Sequence, residues 1–256
     1  MDDIKIERSN SGVVTATINR PHRKNAITFP MWDALRQLFH DVSADENARV
    51  LVLTGEGDAF CAGADLGKEV SQGHVLDTMY PVNAAALALH EMAKPTIAKV
   101  NGDAVGAGMN LALGCDLIVA AQSARFSEIF VQRALSVDFG GTWLLPRLVG
   151  VHKAKELAFF GDIVSADEAK EIGIVNRVVS DSDLDAFVSE WAERLAAGPP
   201  IALKLTKKML SNAFSQSLSE ALDSEAAAQA VNFGTDDTRE GIAAFLEKRP
   251  PKFKGR

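Results

Sequence analysis

Apolar segments typical of buried strands alternate with helical segments over about the first 150 residues. Residues 4–8 and 13–18 indicate the first two strands, and "RVLVLTGEG", "PTIAKVNG" and "DLIVAA" indicate three later ones. Between them, the segment "MWDALRQLFHDVSAD" has a helical period that sets four apolar residues on one face: Trp32, Leu35, Leu38 and Phe39. This alternation predicts an α/β fold with a mixed sheet covered by helices.

The pattern becomes helical from Gly140 onward, through seven segments from "GGTWLLPRLVG" to "DDTREGIAAFLEKR". A long helical region that follows an α/β core is expected to close a site or to make subunit contacts. Upstream, we expect the helix in "DTMYPVNAAALALHEM" to be broken near Pro81 because proline removes a backbone donor.

Composition excludes several classes of protein. The net charge of −7 argues against a nucleic-acid or anionic-membrane partner, and no apolar run reaches the roughly 18 residues of a membrane span. Cys61 and Cys115 form no metal or disulfide pattern, and the histidines are scattered. The polar start "MDDIKIERSN" indicates no signal peptide. We therefore expect a cytoplasmic protein with no metal and no permanently bound cofactor.

A glycine-rich loop stands in "VNGDAVGAGMNLALGCD", residues 100–116, just before a short apolar helix. A dinucleotide loop would need a third glycine where Leu111 stands, and a phosphate-binding loop would need Gly-Lys-Ser/Thr where Met-Asn-Leu stands. Both phosphate interpretations fail. A tight turn without a ligand is the structural alternative.

A second loop of small residues, "GEGDAFCAGADL" at 55–66, also follows a buried strand. Two loops that each present a backbone N–H beside small residues can form a two-donor pocket for a negative oxygen. The positive end of the helix that begins near Ala107 favours the same ligand. The two loops together favour an oxyanion over a phosphate.

The motifs "AFCAGADL", "VNGDAVGAG" and "GGTWLLPRLVG" resemble the crotonase family, the enoyl-CoA hydratases and isomerases. The likeness extends from "NRPHRKNAI" to "REGIAAFLEKR". It implies a crotonase-like spiral of β-β-α units over residues 1–195, and a C-terminal helical region for oligomerisation or as a lid over residues 196–256. It also implies an acyl-CoA substrate, with coenzyme A as part of the thioester, and a homotrimer or a dimer of trimers.

The resemblance also implies residue roles. The N–H groups of Ala64 and Ala107 would hold the enolate oxygen of the thioester. The matching positions that wrap coenzyme A or line the substrate pocket are Lys24, Ala26, Ala62, Asp65, Leu66 and Gly106. Asp65 also has a structural interpretation as a helix cap. Phe245 and Lys248 would meet coenzyme A bound to a neighbouring subunit, or else belong to a solvated basic tail.

Family hydratases use two glutamates, and at the matching positions this chain has Asn110 and Phe130. Neither side chain exchanges a proton at neutral pH, so both are predicted only to line the substrate pocket. The remaining carboxylate, Asp138, resembles the one used by isomerases of the family, including ring-epoxide acyl-CoA isomerases. Apolar neighbours are expected to raise its pKa. The alternative is that Asp138 caps the next helix. Glu128 is expected to face away.

These residues leave several functions open. An acyl-CoA isomerase that uses Asp138 is the leading hypothesis. An enoyl-CoA hydratase of the fatty acid β-oxidation type with atypical acid–base residues is a second, and a non-catalytic acyl-CoA-binding protein is a third. A nicotinamide dehydrogenase is disfavoured by Leu111.

Overall fold

A computed structural model describes residues 3–67 and 74–256. Within these ranges the strands are β1 Ile4–Arg8, β2 Val13–Ile18, β3 Val50–Gly55, β4 Ala59–Cys61, β5 Thr96–Val100, β6 Asp103–Val105, β7 Leu117–Ala121, β8 Arg125–Ser127, β9 Val164–Ser165 and β10 Arg177–Val179. The α-helices are α1 Phe29–Ala44, α2 Val75–His90, α3 Ala107–Leu113, α4 Gly141–Phe160, α5 Ala166–Glu171, α6 Leu184–Ala196, α7 Pro200–Asn212, α8 Leu218–Phe233 and α9 Asp236–Glu247. Short 3-10 helices cover Pro21–Arg23, Ile129–Arg133 and Ala213–Ser215.

The strands form two sheets. The larger has the order β1-β2-β3-β5-β7-β10, and it is parallel except for the antiparallel pair β1–β2. The smaller has the order β4-β6-β8-β9, in which β4, β6 and β8 are parallel and β9 is antiparallel to β8. Between β3 and β8 the chain alternates strictly between the two sheets, which gives the fold its spiral form.

The parallel pairing in the smaller sheet determines where the site lies. Strands β4, β6 and β8 end at Cys61, Val105 and Ser127, and the carboxyl ends of parallel neighbours meet at one edge. The residues that follow each strand therefore come together, although more than 40 residues separate the first two strand ends in sequence.

The core lies between the larger sheet and the helices. The predicted apolar face of α1 is buried, with Trp32, Leu35, Leu38 and Phe39 inside. The ring of Trp32 packs against that of Phe139, with 5.2 Å between their centroids. This contact anchors the segment that precedes α4 on the core.

The C-terminal helices α7 to α9 leave much apolar surface uncovered in the single chain. Leu218, Leu222, Phe245 and Leu246 are each more than half exposed. Arg49 ties this region to the core, because its guanidinium donates to the backbone carbonyls of Ala196, Gly198 and Phe253. None of the helices in the described ranges combines the length and apolar character that a membrane crossing needs.

Two local predictions need correction. Helix α2 runs without a break through Pro81. Its buried residues Val82, Ala85 and Leu89 hold it in the core, and this packing outweighs the backbone hydrogen bond that proline removes. The region after Gly140 is not wholly helical, because it also contains the short strands β9 and β10. The two helical segments predicted on either side of Gly150 are confirmed, since the backbone leaves the helical conformation within α4 at Gly150, where φ is 76° and ψ is 159°.

Candidate active site

The loops after β4 and β6 meet as closely as their glycines allow. Gly63 has φ of 90°, and a Cβ at that position would lie 2.9 Å from the Val105 carbonyl oxygen and 3.3 Å from the Ala107 nitrogen. A Cβ on Gly108 would lie 2.1 Å from the carbonyl oxygen of Cys61. A side chain at either position would separate the two loops, so the glycines keep the backbone around Ala107 beside that of residues 61–64.

The predicted oxyanion donors belong to this contact. Ala107 is the first residue of α3, so its N–H has no partner within the helix. Ala64 pairs with Ile27 in a parallel bridge. There the Ile27 amide donates to the Gly63 carbonyl and the Asp65 amide donates to the Ile27 carbonyl, so the Ala64 amide takes no part. Within the described ranges neither amide donates a hydrogen bond. Both amides are thus available to an oxygen ligand, and their role as an oxyanion hole stays a prediction.

The loop predicted to wrap coenzyme A lies alongside the first of these loops. The Ala62 amide donates to the Lys24 carbonyl at 2.9 Å, and the Ile27 amide donates to the Gly63 carbonyl at 2.8 Å. Asn25, which the sequence did not single out, is fully buried, and its side chain donates to the Ala59 carbonyl at 2.7 Å. The structure thus brings the predicted positions Lys24, Ala26, Ala62, Asp65 and Leu66 together.

Charged side chains line the outer side of this region. Asp65 forms ion pairs with Arg20 at 2.9 Å and with Arg23 at 3.1 Å. The hydrogen bond from Arg20 is the largest cause of the lowered pKa of Asp65. These arginines, which sequence reasoning missed, border a cleft of about 430 Å³ that is also lined by His22 and Thr28. Asp65 also lines the cleft, so its wall carries two arginines and the carboxylate with which both are paired.

Other predicted contacts are placed less centrally. Leu66 is 66% exposed, and Lys24 forms an ion pair with Asp103 at 2.8 Å. Phe245 is 82% exposed near the end of α9, and Lys248 is the left-handed residue that ends this helix. No hydrogen bond or ion pair connects these two side chains to the loops within the described part of the chain. Their proposed contact with coenzyme A of a neighbouring subunit stays a prediction.

Asp138 lies in the turn that leads into α4. Its backbone carbonyl accepts hydrogen bonds from the Gly141 amide at 2.9 Å and from the Asn110 side chain at 3.0 Å, while its buried carboxylate oxygen Oδ1 has no partner. Burial raises the pKa of Asp138 to about 6, which confirms the direction expected from its apolar neighbours. The N-cap of α4 is Gly140, without a side-chain hydrogen bond, so the alternative that Asp138 caps this helix is wrong.

Asn110 is at the centre of this part of the site. It is fully buried, and a Cβ added to Gly141 would come within 2.4 Å of its side-chain amide. Phe130 is also buried, and its ring lies against Gly106, where an added Cβ would be 3.7 Å from the ring. Asn110, Phe130 and Gly106 therefore adjoin the oxyanion loop, as the sequence predicts.

The expectation that Glu128 faces away is wrong. Glu128 is 1% exposed, and its Oε2 lies 3.4 Å from Nδ2 of Asn110. Burial raises the pKa of Glu128 to about 8, and the charge of Asp138 adds to the rise. Glu128 lies at the turn between β8, which ends at Ser127, and the 3-10 helix that begins at Ile129, so no strand or helix period predicts its direction. Its position follows from the parallel pairing of β8 with β6, and strands of three residues leave no local signal of that pairing in the sequence.

Backbone donors without a partner and carboxyl groups withdrawn from water are features with which enzymes stabilise an oxyanion while a proton is transferred. The comparisons with known proteins agree with this class. The chain belongs to the enoyl-CoA hydratase/isomerase family, whose sequence profile matches residues 8–256.

Named relatives and solved structures cover nearly the whole chain. It is 40% identical over 249 residues to a "probable enoyl-CoA hydratase" of Rhodobacter capsulatus, covering 96% of both chains. It is 38% identical over 264 residues to the 1,2-epoxyphenylacetyl-CoA isomerase of Escherichia coli, covering all of both. The crystal structure of the enoyl-CoA hydratase from Bacillus anthracis superposes with a TM-score of 0.95 at 36% identity, covering both chains fully. The predicted crotonase fold is confirmed, and this chain is an acyl-CoA enzyme whose relatives include both hydratases and isomerases.

Proposed function

We propose that this enzyme isomerises an enoyl-CoA or a ring-epoxide aryl-acetyl-CoA by proton transfer through a thioester enolate. The observation that carries the proposal is that Oδ1 of the Asp138 carboxylate is buried without a partner, while the Asp138 backbone carbonyl accepts a hydrogen bond from the side chain of Asn110. By resemblance, Asn110 and Phe130 occupy the positions of the two hydratase glutamates. A single base that can return its proton suits isomerisation better than the addition of water.

In the proposed reaction the acyl thioester lies with its carbonyl oxygen between the amides of Ala64 and Ala107. Asp138, as the carboxylate, removes a proton from C2 of a 3-enoyl thioester, and the electron pair moves onto the carbonyl oxygen. The two amides stabilise the enolate, and each such donor lowers a barrier by roughly 3–4 kcal/mol. Collapse of the enolate shifts the double bond to C2, and Asp138 returns the proton to C4. No water is consumed.

A raised pKa fits Asp138 to this task. A carboxylic acid is most useful as a general base when its pKa approaches the working pH, because the carboxylate is then both populated and basic. With a pKa of about 6, Asp138 is mostly ionised at neutral pH and is a stronger base than an exposed aspartate.

Hydration is the second candidate, and one observation favours it. The Asn110 side chain donates to the carboxyl group of Glu128 and to the backbone carbonyl of Asp138, so two acidic residues lie in this part of the site. A pair of carboxyl groups is what holding and splitting a water requires. The relative from Rhodobacter capsulatus is also named as a hydratase.

The test is turnover of a defined set of thioesters: but-3-enoyl-CoA, but-2-enoyl-CoA and 1,2-epoxyphenylacetyl-CoA. Mass spectrometry separates an isomer, which has unchanged mass, from a hydration product, which has gained one water. We expect isomers, and Asp138→Asn is expected to lower the rate by roughly 10²–10⁴-fold while calorimetry shows acetyl-CoA bound as before. A hydrated product from but-2-enoyl-CoA would overturn the isomerase assignment. Binding without turnover of any of the three would favour a non-catalytic acyl-CoA-binding protein.

We also propose that the exposed apolar surface of α8 and α9 is buried between subunits of a homotrimer or a dimer of trimers. The exposure of Leu218, Leu222 and Leu246 in the single chain supports this, since surfaces with several large apolar side chains usually meet another protein surface. The same assembly would bring Phe245 and Lys248 to a neighbouring subunit's coenzyme A.

A further inference from the structure

One side-chain amide, that of Asn110, joins the carboxyl group of Glu128 to the backbone of Asp138 near the predicted oxyanion loop. Nδ2 of Asn110 donates to Oε2 of Glu128 at 3.4 Å and to the backbone carbonyl of Asp138 at 3.0 Å. Among the described residues four buried side-chain atoms have no partner, and three of them belong to this cluster: Oδ1 of Asn110, Oε1 of Glu128 and Oδ1 of Asp138. The fourth is Nε of Arg147, whose guanidinium lies over the Trp143 ring. Unpaired buried polar atoms are uncommon in native proteins and require an explanation.

All three unpaired atoms of the cluster are oxygens, so the cluster lacks donors. A carboxylate only accepts hydrogen bonds, whereas a protonated carboxyl group supplies one O–H. A proton held on Glu128 therefore reduces the number of unsatisfied acceptors. It also avoids two negative charges in one apolar environment, an arrangement in which one of two carboxyl groups strongly retains its proton.

The surroundings favour Glu128 as the group that keeps the proton. It is almost fully buried, while Asp138 is half-buried. Burial raises the pKa of Glu128 to about 8 and that of Asp138 to about 6. Near pH 7 the pair therefore holds one proton, on Glu128.

The charged groups around Glu128 leave this assignment unchanged. Helix α3, which carries Asn110, contains no titratable side chain. Arg133 of the adjoining 3-10 helix is exposed, and Arg125 of β8 is paired with Asp103 at the surface. On α4, which packs against α3 and the 3-10 helix, Arg147 donates to the Trp143 carbonyl and lies over its ring, Lys153 pairs with Glu156, and His152 and Lys155 are exposed. Among the described residues, the charge that acts on Glu128 is that of Asp138.

We propose that Glu128 is a positioning residue for the proton transfer, and that the site works only while Glu128 keeps its own proton and Asp138 is ionised. This inference rests on the proposed function. Glu128 neither gives nor takes a substrate proton. Its neutral side chain holds Asn110, and through it the Asp138 backbone, without adding negative charge near the enolate. Ionised Glu128 would oppose the enolate charge and thereby slow proton removal.

The test is the pH profile of kcat/KM for but-3-enoyl-CoA isomerisation between pH 5 and pH 10. The wild-type protein is expected to give a bell with limbs near the pKa values of about 6 and about 8. In Glu128→Gln the alkaline limb is expected to disappear, so that the ratio of activity at pH 9 to that at pH 7 rises roughly tenfold relative to the wild type. Glu128→Asp, which restores a titrating group, is expected to restore an alkaline limb.

The control is Glu156→Gln, since Glu156 is exposed and paired with Lys153 away from the site. Its profile is expected to match the wild type. A Glu128→Gln profile that keeps the wild-type alkaline limb would overturn the inference and leave the isomerase proposal intact. A wild-type enzyme without Asp138-dependent isomerisation would overturn the proposed function, and this inference with it.

A measurement on the wild-type protein covers the case in which the Glu128 variants fail to fold. Infrared spectra of protein labelled with ¹³C-glutamate are expected to show, at pH 7, the carbonyl band of a protonated carboxylic acid that shifts with the label. This band is expected to vanish as the pH rises above about 8. Ordinary glutamates are ionised at pH 7, so the absence of such a band would refute a proton on Glu128.

Discussion

Replacing Glu128 by glutamine is expected to stabilise the folded protein at neutral and alkaline pH. Glu128 is almost completely buried, and its Oε1 has no hydrogen-bond partner. Glutamine has nearly the same size and cannot ionise. The variant therefore resembles the protonated residue at every pH. It also removes the loss of folding stability that arises because the carboxyl group ionises more readily in the unfolded chain than in the folded protein.

The size and sign follow from the pKa of Glu128, which burial raises from 4.5 to about 8 in the folded protein. Below pH 4.5 the carboxyl group is protonated in both the folded and the unfolded state, so its ionisation does not change the free energy of unfolding. As the pH rises from 4.5 towards 8, ionisation favours the unfolded chain by about 1.4 kcal/mol per pH unit. At pH 7 this amounts to about 3 kcal/mol, and above pH 8 the cost no longer grows.

The assay is thermal unfolding of wild type and Glu128→Gln at pH 4.5 and at pH 8, with equal protein concentrations because assembly affects stability. The two proteins are expected to melt together at pH 4.5. At pH 8 the variant is expected to melt at a temperature roughly 8–16 °C higher, since each kcal/mol shifts the midpoint by about 2–4 °C in a chain of this length. Glu156→Gln is the exposed control. A variant that is equally stable or less stable at pH 8 would refute a carboxyl group held protonated by the fold.

Three further outcomes are expected. Gly108→Ala places a Cβ 2.1 Å from the Cys61 carbonyl oxygen, so it should displace the Ala107 loop and lower kcat/KM at least tenfold, while circular dichroism shows the fold retained. The pair of changes Leu222→Asp and Leu246→Asp should dissociate the assembly in light scattering if that face is an interface, and an unchanged mass would exclude this face. Asp237→Ala removes the acceptor of two backbone N–H groups of the C-terminal segment at 2.6 and 2.8 Å, so it should lower the free energy of unfolding by about 1–3 kcal/mol and speed proteolysis there.

Five of the six strands of the larger sheet and most helices could be predicted from the sequence because their signals are local, whereas β10, with three residues, was missed. Strands β2 and β3 are apolar runs of six residues, and α1 shows its apolar face over four turns. The smaller sheet was not predicted, because β4, β6 and β8 have only three residues each. So short a strand has no period to detect, and its pairing is decided by neighbours that are distant in sequence.

The loops of the site were predictable in part. Small residues next to Ala64 and Ala107 indicated a close approach of backbone, and the structure shows Gly63 against the Ala107 nitrogen. The raised pKa of Asp138 followed from its apolar neighbours in sequence. The arginines that pair with Asp65 were missed, because an ion pair between a loop and a residue some 40 positions away leaves no local pattern.

Glu128 shows how a turn at the end of a strand can conceal a buried carboxyl group. Continued alternation of β8 past Ser127 would place Glu128 on the face of Phe130, which was predicted to line the substrate pocket, so the expectation that Glu128 faces away did not follow from strand geometry. The chain instead turns at Glu128, between a strand and a 3-10 helix, at the edge where the parallel strands β4, β6 and β8 all end. Packing then excludes water from the carboxyl group, and Gly141 leaves room for Asn110 beside it. A fold selected for stability alone would replace such an unpaired acid with an apolar residue, so its presence beside Asp138 favours a role in the chemistry of the site.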